Sequence, residues 1–336
     1  MAIAKPVLGR TIKRKIHSIG GRKTPFIAGH KLLYTCNLRC EMCPFWRRPD
    51  ERLLSLSEEI KMMDTLVEAD VSFMGFEGGE PLLRNDLPEI LKESHKRFHT
   101  SMVTNGWLLK SRIKSISNYL DYLFVSIDGL EDTHDRQRGI PGSFKRAVDG
   151  IKEAKRYLPV SMSTTITENN LDSIFDLMEL ARSIDVSVNL QVSYNYSTAD
   201  KISPERERLH HILIKLKEMK KSGYPIVNSY EYFDAVINSW YNNIPWVCKP
   251  WSTINIDPLG NIVMPCYVLN EYSGKYKVWE VNIKELWNSY DWGQYESCNK
   301  CSLSCYLEPS LFSWKKPSMI QERIINGIGS YIASMF

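Results

Sequence analysis

Three cysteines near the start of the chain have side chains that could bind a reactive metal cluster. Cys36, Cys40 and Cys43 have CxxxCxxC spacing and supply three thiols within eight residues. A four-iron cluster takes four ligands, so three thiolates leave one iron open, and an open position is typical of a metal centre that does chemistry. A structural zinc site would need a fourth ligand, and the sequence offers none nearby. The spacing therefore favours a catalytic iron–sulfur cluster.

The composition indicates a globular protein of a reducing compartment. The chain has 336 residues, of which 43% are hydrophobic and 24% charged, as is usual for a globular protein. Its eight cysteines form two groups, three near the start and five between residues 248 and 305. No run of residues has the apolar core of a signal peptide or the length of a transmembrane helix. Grouped cysteines without a secretory signal indicate metal ligands, so a cytoplasmic location is predicted.

The cysteines lie in a pattern of alternating strands and helices. Between about residues 26 and 225, short apolar runs alternate with amphipathic segments, which predicts β/α units and a parallel sheet. Ser55 and Glu58 form a predicted capping box, and Ser143 is a second predicted N-cap. Reactive groups in such folds gather at the carboxyl ends of the strands, where the cysteine loop falls. The predicted strands are 26–34, 71–76, 100–104, 122–127, 160–166 and 186–192.

Short motifs at the ends of these strands resemble those of the radical S-adenosylmethionine (radical SAM) superfamily. The cysteine loop follows the first predicted strand and Gly78-Gly79-Glu80-Pro81 follows the second. The third ends in Thr104-Asn105-Gly106, the fourth in Ser126-Ile127-Asp128-Gly129, and Arg138 lies in the helix beyond. The resemblance implies an α/β fold, a partial (β/α)6 TIM-like barrel with a small Cys-rich C-terminal domain.

The same resemblance implies the chemistry and its cofactors. Cys36, Cys40 and Cys43 would hold a [4Fe-4S] cluster whose open iron chelates SAM. The cluster would be reduced by an external one-electron reductant of the ferredoxin or flavodoxin type. Reductive cleavage of SAM would give a 5′-deoxyadenosyl radical that abstracts hydrogen from, or adds to, a substrate carbon. No nucleic-acid partner is expected.

Eight residues are expected to contact SAM by this resemblance. Met42 stands where relatives place an aromatic residue beside the adenine. The two glycines would let the backbone approach the methionine part of SAM, and Glu80 would hold its amino group. Arg138, or Arg136 in its place, would bind the SAM carboxylate. The expected contacts are Met42, Gly78, Gly79, Glu80, Asn105, Ser126, Asp128 and Arg138.

The later cysteines resemble an auxiliary iron–sulfur domain of the SPASM or twitch type. Gly260 precedes Cys266 in a predicted hairpin, although this gap is one residue longer than usual and the full seven-cysteine set is not present. Five cysteines allow one auxiliary [4Fe-4S] cluster with one cysteine to spare, and the sequence does not say which. Structural zinc is the alternative. The candidate ligands are Cys248, Cys266, Cys298, Cys301 and Cys305.

The chain is thus divided into five predicted segments. The core barrel covers 26–225, a connector 226–246 and the SPASM/twitch-like domain 247–307. A basic amphipathic extension is predicted at 1–25, because the first 40 residues carry nine Lys or Arg and no acid. An amphipathic C-terminal helix is predicted at 308–336.

The amphipathic segments predicted at 1–25 and 308–336 bear on which class of substrate the sequence favours. Basic amphipathic helices can lie at a membrane surface, although both could equally pack on the barrel as ordinary caps. Many peptide-modifying relatives carry an N-terminal peptide-recognition domain, for which the residues before Cys36 are too few. A membrane lipid is therefore the predicted substrate, with peripheral contact at the inner face of the membrane. The alternatives are a ribosomally made peptide, modified by a SPASM-type maturase, and a soluble small metabolite.

Overall fold

The computed structural model describes residues 22–50, 52–270 and 275–312. The predicted N-terminal extension and C-terminal helix therefore lie mostly outside the described residues. No helix in the described ranges has both the length and the apolar character needed to cross a membrane.

Six parallel strands and the helices between them form the main body of the fold. The strands are adjacent in sequence order, so each β/α unit adds the next strand to the same edge of the sheet. They are β1 (Ile27–Lys31), β2 (Phe73–Glu77), β3 (His99–Thr104), β4 (Tyr122–Ser126), β5 (Val160–Ile166) and β6 (Ser187–Val192). The helices are α1 (Leu56–Glu68), α2 (Leu87–His95), α3 (Leu109–Ile116), α4 (Glu131–Arg138), α5 (Ser143–Ala154) and α6 (Ile174–Ser183). The predicted partial α/β barrel is confirmed.

The alternation of side chains along the strands separates the core from the site. Ala28 of β1 and Met74 of β2 point away from the barrel and pack in the main apolar core with α1 and α2. Gly29 and Lys31 point to the other face and line a central cavity. In the parallel register, Lys31 lies opposite Glu77 at the carboxyl ends of β1 and β2.

The Cys-rich segment continues the sheet of the barrel. Strand β7 (Thr253–Ile256) pairs parallel with β1, and β8 (Asn261–Val263) and β9 (Tyr276–Lys277) follow in antiparallel pairing. The sheet order is β6-β5-β4-β3-β2-β1-β7-β8-β9. The C-terminal cysteines are thereby held against the barrel by main-chain hydrogen bonds.

Four further helices complete the described fold: α7 (Arg206–Lys221), α8 (Tyr230–Tyr241), α9 (Ile283–Ser289) and α10 (Ser304–Leu311). Helix α8 occupies much of the segment interpreted as a connector, and α10 crosses the boundary predicted at 307. Buried Glu308 of α10 accepts hydrogen bonds from the backbone N–H and hydroxyl of Ser229, the N-cap of α8, both at 2.8 Å. The segment interpreted as a connector and the described end of the chain are therefore packed together.

Candidate active site

The cysteine loop is held rigidly at the carboxyl end of β1. The carboxylate of Asp50 accepts hydrogen bonds from the backbone N–H groups of Tyr34 and Thr35, at 2.6 and 2.7 Å. The three cysteines of the loop pack in one cluster with Leu38 and Met42. The structure thus brings Cys36, Cys40 and Cys43 together, with Met42 beside them.

The environment of Cys36 and Cys40 favours the protonated form of these two thiols when no metal is present. Burial raises the pKa of Cys36 to about 11. Burial raises the pKa of Cys40 to about 12, against the opposing effect of the Arg138 guanidinium. A bound metal centre supplies the positive charge that such sulfurs need to become thiolates.

Gly78 and Gly79 are required by the backbone of the chain itself. A Cβ atom on Gly79 would overlap the carbonyl oxygens of Tyr34 and Thr35, and one on Gly78 would overlap that of Leu33. The N–H of Gly79 donates to Leu33 at 2.7 Å. These glycines allow close packing of the β2 loop on the cysteine loop. The approach of their backbone to SAM stays a prediction.

Glu80 likewise fixes the loops around the site. Its side chain is fully buried. Oε1 accepts one hydrogen bond from the Leu82 N–H at 3.0 Å and one from the Thr104 hydroxyl at 2.6 Å. Oε2 accepts a hydrogen bond from the Asn105 N–H at 2.8 Å. These bonds make Glu80 a positioning residue for the loops after β2 and β3. Oε2 accepts only one of them, and its contact with the SAM amino group stays a prediction. Asn105, held in this way, donates from Nδ2 to Asn37 at 2.8 Å and lies 3.8 Å from the sulfur of Cys36.

Arg138 links the fourth strand to the cysteine loop. Its guanidinium forms a 2.6 Å ion pair with buried Asp128 and lies 3.7 Å from the sulfur of Cys40. Its buried Nε has no hydrogen-bond partner among the described residues. Arg136, the other candidate for the SAM carboxylate, points outward and is exposed. Arg138 is therefore the arginine with a donor left over at the site.

The central cavity has a volume of about 240 Å³ and reaches from the cysteine loop to the auxiliary segment. Cys43, Ser126 and Arg138 line one end of it. In the same lining, the Lys31 ammonium pairs with Glu77 at 2.9 Å and lies 3.8 Å from the ring centre of Phe45. The other lining residues include Ser163, Thr165, Gln191, Tyr196, Asn255, Tyr267, Cys305 and Tyr306.

The five later cysteines face two different cavities. Four of them, Cys248, Cys266, Cys298 and Cys301, line one small pocket between the segment after β8 and the loops before β7 and α10. Cys305 does not line that pocket and lies instead on the central cavity.

Comparison with known proteins identifies the family. Residues 31–181 match the radical SAM superfamily, the segment that holds the cysteine loop and the motifs after β2 to β4. The chain belongs to the radical SAM superfamily. Residues 188–325 match a domain of unknown function, DUF3463.

Several relatives of this radical SAM enzyme carry out different reactions. The PqqA peptide cyclase of Granulibacter bethesdensis is 25% identical over 279 residues, which cover 77% of this chain and 72% of the cyclase. The GTP 3',8-cyclase of Campylobacter jejuni subsp. doylei is 26% identical over 71% of this chain and 79% of its own. These relatives support the family and leave the substrate open.

Two solved structures share the fold. SuiB of Streptococcus suis bound to precursor peptide SuiA covers 84% of this chain and 68% of its own, with a TM-score of 0.67 and 15% identity. The anSMEcpe enzyme with bound AdoMet and the Cp18Cys peptide covers 81% and 82%, with a TM-score of 0.63 and 17% identity. At these identities the likeness concerns the fold.

The residues of the site fit the cofactors of the superfamily, a [4Fe-4S] cluster and SAM. Three thiols lie in one loop, and the unpartnered Nε of Arg138 offers a donor for an anionic group beside them. Within the described ranges, no three His, Cys, Asp or Glu side chains converge on the position of a single ion. Thiolates of a four-iron cluster bind different irons, so this arrangement accords with a cluster.

Three residues of the cavity escaped the sequence analysis: Lys31, Glu77 and Asn255. Lys31 and Glu77 stand at the carboxyl ends of neighbouring predicted strands, so the rule that located the motifs could have found them. Asn255 lies opposite Gly29 because β7 pairs with β1, and this long-range pairing has no local signal.

Proposed function

We propose that this radical SAM enzyme modifies a carbon atom of a peptide bound in the central cavity. The observation that carries the proposal is a set of polar side chains among the residues that line the cavity. They include the Lys31–Glu77 ion pair and the Asn255 amide, whose Nδ2 has no hydrogen-bond partner within the described residues. A hydrocarbon chain would leave this buried donor unpaired. Peptide groups offer both donors and acceptors for such a lining.

The relatives support the same class of substrate. One is named a peptide cyclase, and two of the solved structures with this fold contain peptides. The GTP cyclase is a specific reason to test soluble metabolites alongside peptides. The lipid prediction rested on the two ends of the chain, largely outside the described residues, and none of these comparisons supports it.

The protein's own residues prepare the site for the reaction. Cys36, Cys40 and Cys43 would hold the cluster, and Arg138 would present its free N–H toward SAM. When bound, the reduced cluster supplies one electron to SAM and thereby generates the 5′-deoxyadenosyl radical. Ser126 and Met42 line the same cavity as Lys31, so a substrate bound there would hold its reactive carbon beside the SAM site.

The auxiliary segment fits a second cluster. Four thiols on one pocket are the donor set of a [4Fe-4S] cluster, with Cys248, Cys266, Cys298 and Cys301 as ligands and zinc as the alternative occupant. Reduction by a ferredoxin or flavodoxin type of protein is part of the same proposal, because radical SAM enzymes need an external one-electron donor.

An anaerobic assay with dithionite and SAM tests the substrate class. Three fractions of the host cell are added separately: small proteins and peptides, soluble metabolites, and total membrane lipids. Mass spectrometry follows each fraction beside a Cys40→Ala control. A mass change confined to a peptide supports the proposal, whereas a change confined to a lipid or metabolite refutes it.

A cavity variant sharpens this assay. Lys31→Met removes the buried cation, so peptide-stimulated 5′-deoxyadenosine formation should fall at least about tenfold, the effect of about 1.4 kcal/mol. Slow SAM cleavage without peptide should persist. Lys92→Met, an exposed lysine of α2, is the matched control and should leave both rates unchanged. Equal behaviour of the two variants would argue against substrate binding at Lys31.

A further inference from the structure

Cys305 differs from the other C-terminal cysteines in the cavity that it lines, although it packs in one cluster with Cys266 and Cys301. It is the second residue of α10, while the four pocket cysteines lie in loops before this helix. Its side chain lines the central cavity together with Glu77 and Tyr306. A four-thiolate cluster is complete without it.

A second feature shows that the same region of the cavity is built to receive a ligand. Asn255 is only 4% exposed and lines the cavity. Its Oδ1 accepts a hydrogen bond from the Tyr306 hydroxyl at 3.0 Å, which orients the amide. Its Nδ2 has no hydrogen-bond partner within the described residues. A carbonyl oxygen of a bound substrate would satisfy this donor.

We propose that Cys305 is not a cluster ligand and that its thiol donates a hydrogen atom to a carbon radical formed in the central cavity. The proposal deepens the proposed function and rests on it for the identity of the substrate, a molecule whose carbonyl group is bound by Asn255. The result is a substrate carbon that has lost one hydrogen and received another.

The step balances with reagents that the radical SAM reaction already uses. The S–H bond of Cys305 breaks homolytically, a C–H bond forms on the substrate carbon, and a sulfur-centred radical remains. One electron from the external reductant and one proton from solvent then restore the thiol. The four thiols of the neighbouring pocket would hold the proposed auxiliary cluster, and Tyr306 lines both that pocket and the central cavity.

The surroundings of Cys305 suit a hydrogen donor. Its thiol lines the same cavity as the Asn255 amide. Two tyrosines of the cavity already use their hydroxyl hydrogens, since Tyr306 donates to Asn255 and Tyr267 donates to the carbonyl of Ile256. Compared with these two tyrosines, the thiol is the more available source.

The first test asks whether Cys305 binds a cluster, and it needs no substrate. In a Cys36→Ala/Cys40→Ala/Cys43→Ala background, the reconstituted chain should hold about four irons. Adding Cys305→Ser should leave that iron and its absorption spectrum intact, whereas adding Cys301→Ser, the matched variant of a pocket cysteine, should remove most of it. Loss of iron in the Cys305 variant comparable with that in the Cys301 variant would overturn the assignment.

The second test asks whether the thiol gives up its hydrogen. The fully loaded enzyme is incubated with SAM and dithionite in D2O without peptide, and the 5′-deoxyadenosine is analysed for deuterium. The exchanged thiol should deliver deuterium, so the labelled fraction should fall several-fold in Cys305→Ala and persist in Tyr306→Phe. Unchanged labelling in Cys305→Ala, or loss of label in Tyr306→Phe alone, would refute the donor role.

These outcomes are independent of the peptide proposal. If every peptide fraction is left unmodified but the iron and deuterium results hold, the peptide proposal fails and the role of Cys305 stands. If a peptide is modified while Cys305→Ala retains full labelling, the role of Cys305 fails and the peptide proposal stands.

Discussion

Arg138 holds together parts of the site that are far apart in sequence. It carries the positive charge that faces Asp128 on one side and the sulfur of Cys40 on the other, and it is nearly fully buried. An isolated buried carboxylate is costly, so the guanidinium has a structural role as well as its expected contact with SAM.

Replacing this arginine should therefore lower stability sharply. Arg138→Met leaves Asp128 buried without a cation and should cost about 3–5 kcal/mol of the free energy of unfolding. Arg136→Met, two residues away and exposed, should change it by less than about 0.5 kcal/mol. Urea unfolding under anaerobic conditions measures both. Similar losses in the two variants would show that the buried pair is unimportant, and Asp128→Asn should recover part of the loss in Arg138→Met.

His134 makes the free energy of unfolding depend on pH. Burial, followed by the nearby charge of Arg138, lowers the pKa of His134 to about 3, and its Nδ1 accepts a hydrogen bond from the N–H of Asp128 at 3.2 Å. The folded protein therefore keeps this imidazole neutral while the unfolded chain protonates it below its ordinary pKa of 6.5. The stabilising contribution is complete above pH 6.5 and is lost as the pH falls toward 3.

The slope of the free energy of unfolding against pH tests the contribution of His134. In that window, His134 should contribute up to about 1.4 kcal/mol per pH unit, the value for one proton. His134→Asn should remove this contribution and give a shallower dependence than the native chain. His211→Asn, at an exposed position, serves as the control and should follow the native curve. A slope in His134→Asn equal to the native slope would contradict the prediction.

At the scale of elements, the loops after β1 and β2 act as one unit. Gly79→Ala would force a methyl group into two backbone carbonyls, so it should cost at least about 3 kcal/mol, the upper end of overpacking effects, and reduce iron uptake. Gly29→Ala in β1 meets only ordinary contacts and should fold with its cluster intact. Unfolding midpoints and iron content measure the difference. Normal iron uptake by Gly79→Ala would show that this packing is dispensable.

The sequence predicted the central strands well, because periodicity and apolar runs are local properties. The capping box of Ser55 and Glu58 is present, with both reciprocal hydrogen bonds. The N-cap predicted at Ser143 is wrong: Gly142 holds that position in a left-handed conformation, and the Ser143 hydroxyl donates to Asp135 at 2.7 Å. A contact with the preceding helix thus decided the start of α5, and no local pattern reports such a contact.

Elements beyond the barrel were harder to predict for the same reason. The sequence predicts a connector where helix α8 lies, because asparagines and aromatic residues obscure its helical period. Tyr232, Phe233 and Val236 form the buried face of this helix.

The site motifs are recognisable from the sequence, whereas the contacts of their side chains are not. Glu80 had a clear position in the motif, and only the structure shows that Thr104 and Asn105 use its carboxylate.

At the scale of the whole molecule, the continuous sheet brings two groups of cysteines to one cavity. The pairing of β7 with β1 joins segments more than 200 residues apart, since Ile27 lies opposite Thr253. The radical-forming loop lies at one end of the cavity, and the four-cysteine pocket adjoins its other end through Tyr306, which lines both. A substrate between them would be within reach of both cofactor sites.

This arrangement predicts two separable iron sites in one chain. The reconstituted protein should hold about eight irons, and Cys36→Ala/Cys40→Ala/Cys43→Ala should retain about four while losing all SAM cleavage. Cys298→Ser/Cys301→Ser should also retain about four, but it should still cleave SAM slowly, because the site that binds SAM is intact. Iron analysis and 5′-deoxyadenosine formation give the two readouts. A full iron load in the triple variant would refute the cluster assignment, and loss of SAM cleavage in the double variant would show that the two sites depend on each other.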